Sequence, residues 1–219
     1  MSDIIGIFLS GLFVITILII GNFFRKFNVF SNGGIKNFVH AIISTWWLFA
    51  MNYFTSPYSA VLSSLIFMVI MLLSSKIKVI NAVGYNGRLD CKTVFYVISV
   101  IILSLITYYP KYHPVAGGIG VLIMGYGDPA AALIGKIKGK HKYSFFGNTK
   151  SLEGSIAMLA VSFLISFVLL IGFENQSVIL HSFIISAVAT IVEGISPGKI
   201  DNLTVPLSSA FVFLLMWIY

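Results

Sequence analysis

Apolar residues in this chain run in long unbroken blocks, and polar residues collect between them. Eight blocks stand out: Ile4 to Ile20, Phe38 to Phe54, Tyr58 to Leu73, Thr93 to Tyr109, Val115 to Ile134, Ser155 to Phe173, Ser177 to Val192 and Leu203 to Tyr219. At about 1.5 Å rise per residue, a helix of roughly 17 residues covers about 25 Å, near the lower limit for a hydrocarbon core about 30 Å thick. Several spans must therefore lean on their polar flanks. Stretches such as Ile98 to Leu105 are apolar on every side, which excludes the alternating strands of a membrane barrel. The pattern predicts an all-α fold: a polytopic integral membrane helical bundle of about eight transmembrane helices, forming a single domain over residues 1–219.

Inside the fifth block, Pro129 follows Asp128. Proline disfavours helical geometry at the residue before it and suits the first position of a new helix. The expectation is a broken fifth helix, with Asp128 as N-cap of a short helix through Ile134. Free backbone amides and the positive dipole end would then point into the gap, an arrangement suited to phosphate.

Composition narrows the class. Hydrophobic residues make up 58% of the 219 positions and charged residues 10%, against about 25% charge in an ordinary soluble domain. A globular soluble enzyme is excluded. The one cysteine, Cys91, offers neither a disulfide framework nor a zinc cluster. The chain opens Met-Ser-Asp without a basic segment, so the first block reads as a span and not as a secretory signal.

The formal charge of +7 could suggest nucleic acid, but its distribution gives another cause. With eight spans, alternate loops hold Arg25, Lys26 and Lys36; Lys76, Lys78, Arg88 and Lys92; Lys136, Lys138, Lys140, Lys142 and Lys150; and Lys199. Only Lys111 falls on the other side. Basic residues near spans are retained in the cytoplasm, so these loops are expected there, with both termini outside and no nucleic-acid partner. The same face receives Asp90, Glu153, Glu193 and Asp201, with Asp128 toward that end of its span, while Asp3 and Glu174 face away.

Acid and base thus converge at one boundary. Four lysines, a histidine and two glycines pack within Gly135 to Lys142. Lysines supply cations for phosphate oxygens, and carboxylates supply hard oxygen ligands for Mg²⁺. The metal candidates are Asp128, Glu153, Glu193 and Asp201; the phosphate candidates include Lys138, Lys140, Lys142 and Lys150. No G-x-x-x-x-G-K-[ST] loop exists, and the Gly125-x-Gly127-x-x-Ala130 pattern lies in a span, where a dinucleotide fold cannot form. His40, four residues after Lys36, is a candidate proton acceptor or phosphate ligand, and Asn202 a candidate substrate-binding residue. His113 and His181 are expected to be structural, and Trp46 and Trp47 to pack or face lipid. A transporter could also use a broken acidic helix, but it would need polar groups through the outer leaflet, and here they crowd one side.

The run Gly127-Asp-Pro-Ala-Ala-Ala-Leu-Ile-Gly135, continuing through Gly139-Lys-His-Lys142, then Lys150-Ser-Leu-Glu-Gly-Ser155, Glu193 and Asp201-Asn-Leu-Thr-Val-Pro206, resembles the polyprenol kinase family. That family includes dolichol kinase, phytol kinase and CTP-dependent diacylglycerol kinase. A weaker element, Lys36-Asn-Phe-Val-His40, is similar to the family's basic-x-x-x-His motif. The resemblance implies a multi-pass membrane enzyme with its site on the cytoplasmic face, moving the terminal phosphate of CTP, with Mg²⁺, to the hydroxyl of a membrane-embedded isoprenoid alcohol or diacylglycerol. It implies catalytic roles for Asp128 and His40, and nucleotide binding by Lys138, Lys140, Lys142, Lys150, Ser151 and Gly154. The CDP-diacylglycerol synthases have a similar arrangement and are the alternative, but their Lys-Arg-x-x-x-x-Lys-Asp element is absent here.

Overall fold

A computed structural model describes residues 2–27, 32–76, 91–108, 113–172 and 177–218. Lys78, Arg88, Asp90, Lys111 and Glu174, placed on loops above, lie outside the described residues, as do the side chains of Lys36 and Lys76.

Within the described residues, the eight expected spans lie largely on helix. The helices are α1 (Ser2–Lys26), α2 (Asn32–Ser44), α3 (Trp46–Tyr53), α4 (Pro57–Lys76), α5 (Cys91–Thr107), α6 (Pro114–Leu122), α7 (Asp128–Lys138), α8 (Leu152–Leu170), α9 (Val178–Ile195) and α10 (Asp201–Ile218). Among the described residues, four stretches are long and apolar enough to cross a membrane: Asp3–Lys26, Pro114–Lys138, Leu152–Leu170 and Val178–Ile195. Lipid cannot satisfy backbone polar groups, so a helical bundle is what such a sequence can form. Some helix hydroxyls bond within their own helix: Ser44 and Ser64 donate to the carbonyls of His40 and Ala60 at 2.8 and 2.9 Å. The second span is two helices, α2 and α3, meeting at Thr45, whose hydroxyl bonds the Tyr126 hydroxyl at 2.8 Å.

α6 lies at the centre, with every residue from Val115 to Leu122 buried. His113 caps it through its ring, which accepts from the Val115 N–H at 3.2 Å. Trp47 is fully buried, and its indole N–H donates to the Pro114 carbonyl at 2.8 Å. Both tryptophans belong to the core, since Trp46 is buried too and donates to the Ser10 hydroxyl at 2.7 Å. α10 crosses α6 so closely that a Cβ on Gly120 would overlap the Pro206 carbonyl oxygen.

The fifth span is interrupted differently from the expectation. Between α6 and α7 the chain makes a π-helical turn, Ile123–Gly127, and stays helical throughout. Asp128 has φ −60° and ψ −46°, and its N–H bonds the Met124 carbonyl. It is therefore not an N-cap, and no set of free amides opens onto a gap. Proline at 129 is accommodated because a widened turn already displaces the hydrogen-bond ladder at that point. The turn is also where α2 comes close: a Cβ on Gly125 would overlap the Ser44 hydroxyl.

The expected loop between the fifth and sixth spans contains an antiparallel hairpin, β1 (Lys142–Phe145) with β2 (Asn148–Ser151). Lys142 pairs with Ser151, and Tyr143 with Lys150. Phe146 and Gly147 both have positive φ, 46° and 79°, the backbone of a two-residue turn that follows the strands' twist. Phenylalanine is an unusual occupant of that position, where Asn, Asp or Gly predominate.

Candidate functional site

Several element ends meet at one end of the bundle: the starts of α5, α7, α8 and α10, the end of α9, and the hairpin. They enclose a cavity of about 520 Å³ lined by, among others, Lys92, Asp128, Lys136, Lys142, Lys150, Glu193 and Asp201. Ser151 and Gly154 contribute to its wall.

Its polar wall is a relay of alternating charge. Lys92, in the first turn of α5, holds its Nζ 3.4 Å from Asp128 Oδ1 and 3.1 Å from Asp201 Oδ2. Lys150 of β2 donates to both the carboxylate and the backbone carbonyl of Glu193 and lies 3.8 Å from Asp201. Glu193 and Asp201 are only 4% and 2% exposed, so neither carboxylate has bulk water to stabilise it, and the lysines supply that stabilisation. One acceptor is left over: Glu193 Oε2 is buried without a hydrogen-bond partner.

The backbone keeps these groups in place. Ser151 is the N-cap of α8, its hydroxyl accepting from the Gly154 N–H at 3.1 Å. A Cβ on Gly154 would meet the Ala131 carbonyl oxygen at 2.9 Å. The glycine therefore lets α8 approach α7, as small residues do in membrane helix packing. The hairpin is tied to the α9–α10 connection by Asn148, whose amide donates to the carbonyls of Ser196 and Gly198 at 3.0 and 3.2 Å.

Not every residue expected in the site lies there. Lys138 and Lys140 are exposed and do not line the cavity. Glu153 points elsewhere, accepting from the His141 backbone N–H at 3.3 Å, with its Oε1 2.8 Å from the His141 ring. It closes the base of the hairpin and stands apart from the other three acids. His40 packs its ring on Tyr96 at a centroid distance of 4.4 Å, and its Nε2 is buried without a hydrogen-bond partner; it lines no part of the cavity. Asn202 is fully buried and donates to the Lys92 carbonyl at 2.9 Å, tying α10 to α5 behind the cavity wall.

Lys92 is the site residue that sequence reasoning passed over. It reads as one more basic loop residue, and only the packing of α5 on α10, with its side chain reaching the start of α7, sets it between two carboxylates. Lys136, Asn148 and Thr149 line the cavity as well.

The donor set bears on the expected metal. Among the described residues, no group of three or more His, Cys, Asp or Glu side chains is arranged to hold an ion. Magnesium, however, is usually held by one or two carboxylates together with waters and substrate phosphates, not by an all-protein cage. Asp128 and Asp201 flank one cation position, and Glu193 holds an unsatisfied buried oxygen beside them, a donor set that fits Mg²⁺ bound by two carboxylates and other oxygen ligands.

No family model matches the chain, and no solved structure does. Two curated relatives do. A phytol kinase from Synechocystis is 36% identical over 146 residues, covering 65% of this chain and 62% of that protein. A probable chloroplastic phytol kinase from Glycine max is 32% identical over 127 residues, covering 53% of this chain and 41% of that protein. The matched part is thus less than two thirds of either relative's length. In sequence the chain is similar to proteins named phytol kinase, in agreement with its resemblance to the polyprenol kinase family.

Proposed function

We propose that the chain is a lipid-alcohol kinase that transfers the terminal phosphate of CTP to the hydroxyl of a membrane-embedded isoprenoid alcohol of the phytol class, with diacylglycerol as the other acceptor in view. The observation that carries this reading is the cavity wall itself: lysines that can grip phosphates face paired acids at one end of an apolar bundle. The similarity to proteins named phytol kinase supports it.

In this reading the cavity opens to the cytoplasm, where the basic loops are retained. Lys142, Lys150 and Lys136 hold the nucleotide's phosphates, with Ser151 and Gly154 in the wall beside them. A bound Mg²⁺ would neutralise charge on the transferring phosphate, with Asp128 and Asp201 as its protein ligands and Glu193 beside them. The acceptor's oxygen forms a bond to the terminal phosphorus, the bridging oxygen–phosphorus bond breaks, and CDP leaves. Phosphoryl transfer depends chiefly on alignment and on stabilising charge, which a rigid charge relay can supply. The hydroxyl proton goes to Asp128 or His40. Asp128 lines the cavity but is a weaker base while it holds a cation; His40 is free of that constraint but lies outside the lining, and replacing each separately decides between them.

The acceptor's chain has a place to lie. A groove of about 520 Å³ between α5 and α10 is lined by Ile102, Ile106, Leu207, Ser208, Phe211 and Leu215. Both helices carry a relay residue, Lys92 or Asp201, in their first turn. Along α10, Leu207 lies about 9 Å and Leu215 about 21 Å beyond Asp201, at about 1.5 Å per residue. A hydrocarbon chain in that groove leaves its hydroxyl end toward the relay.

The test is incubation of the purified protein with CTP labelled at the terminal phosphate, Mg²⁺ and a panel of phytol, other isoprenoid alcohols, diacylglycerol and phosphatidic acid. Label recovered in a lipid alcohol is the expected result. Label released as pyrophosphate, with CMP joined to phosphatidic acid, would replace this reading by cytidylyl transfer. Absence of any nucleotide consumption would remove both.

A further inference from the structure

The relay sets a lysine ammonium between two carboxylates. Lys92 places its ammonium within 3.4 Å of Asp128 and 3.1 Å of Asp201, so the position between the two carboxylates is already filled by a cation of the protein. Yet the cluster is not internally balanced. Asp128, Asp201 and Glu193 face Lys92 and Lys150, three acids against two ammonium groups, and Glu193 Oε2 lies buried with no partner.

The geometry points to Lys92 as a resident stand-in for the divalent cation, one that excludes free metal until a nucleotide arrives and then moves from the carboxylates to the phosphates. The nucleotide part of this inference rests on the kinase reading above; the exclusion of metal does not. A divalent ion entering alone would have to displace the lysine and part its ammonium from both Asp128 and Asp201, which is costly in a weakly polar environment. An ion entering with a triphosphate meets no such obstacle, because the phosphate oxygens become the lysine's new partners. Lys92 is thus a positioning residue that couples metal and nucleotide entry. The lysine's place is secured from behind by Asn202, which holds the Lys92 carbonyl at 2.9 Å, so its backbone stays fixed while the flexible side chain changes partner.

Mn²⁺ serves as the probe, its free concentration read by electron paramagnetic resonance on the full chain in detergent without nucleotide. The wild type is expected to bind Mn²⁺ at least about tenfold more weakly than Lys92→Met, in which Asp128 and Asp201 both lose the Lys92 ammonium. Lys92→Arg, which keeps the charge, should bind as weakly as the wild type. If Lys92→Met is not monodisperse, Lys92→Gln gives the same comparison with a polar side chain of similar reach. The tight site gained in Lys92→Met should vanish in Lys92→Met/Asp201→Asn. Adding CDP should tighten Mn²⁺ binding to the wild type and leave Lys92→Met little changed. Equal Mn²⁺ affinity in wild type and Lys92→Met, or gain that survives loss of Asp201, overturns the inference. Because the nucleotide-free comparison involves no phosphate transfer, its outcome stands apart from the labelled-CTP assay: gain of metal without kinase activity would remove the function and keep the gate, and the reverse would do the opposite.

Discussion

The side-chain amide of Asn202 donates to the main-chain carbonyl of Lys92 at 2.9 Å, joining the first turn of α10 to the first turn of α5. Asn202 is fully buried, and its backbone N–H donates to Asp201 Oδ1 at 2.9 Å. One residue therefore sets the spacing of a cation and an anion that belong to different helices. Asn202→Ala removes the tie and leaves a buried carbonyl without that donor, at a cost of about 1–3 kcal/mol. A lower midpoint in thermal unfolding in detergent, together with loss of turnover, is the expected outcome; an unchanged midpoint would show that α5 and α10 are held by packing alone.

Asp128 lines the cavity from the first turn of α7, where its backbone is already helical and needs no side-chain cap. Asp128→Asn preserves size and should preserve the fold, so size-exclusion behaviour and melting are expected to match the wild type. Turnover with labelled CTP should fall to background. Full activity in this variant would place the chemistry elsewhere.

Lys150 and Glu193 form a buried pair, and breaking such a pair is worse than removing it. Lys150→Met leaves Glu193 unpartnered and should destabilise the protein by about 3–5 kcal/mol. The double variant Lys150→Met/Glu193→Gln should recover most of that stability and none of the activity. Denaturation and label transfer measured on the same three proteins separate the structural from the chemical share of the pair.

The groove between α5 and α10 makes a prediction about chain length. Ser208→Phe fills part of it from a half-buried position. KM for a long isoprenoid alcohol such as phytol should rise severalfold, while a short, water-soluble isoprenoid alcohol, which has no tail to place, should react as before. Equal effects on both acceptors would show that the chain lies elsewhere.

Gly154 packs α8 against α7, with the Ala131 carbonyl oxygen 2.9 Å from where a Cβ would stand. Gly154→Val forces those helices apart at the cavity wall and should cost about 1–3 kcal/mol, the usual range for overpacking. The stability change is expected with or without nucleotide, read as the shift in thermal midpoint.

The helical spans, and the gathering of charge at one end, follow from the order of residues alone. A block of apolar side chains has one low-energy arrangement in lipid, the helix, and alternating basic loops mark one end of the resulting bundle. Asp128, Lys142, Lys150, Glu193 and Asp201 could be named as a group because they fall at that end, whatever the packing. Which of them meet is a tertiary matter. Glu153 looks equivalent to Glu193 in the sequence, but the hairpin turns it toward His141. Lys92 looks like any loop lysine until α5 lies against α10 and its ammonium reaches Asp128. The π turn was equally out of reach, since Asp-Pro signals an interrupted helix but not its kind; in the bundle the turn packs on α2, where Ser44 leaves no room for a Cβ on Gly125. Local preference sets where the chain can deviate, and the neighbouring helix decides how.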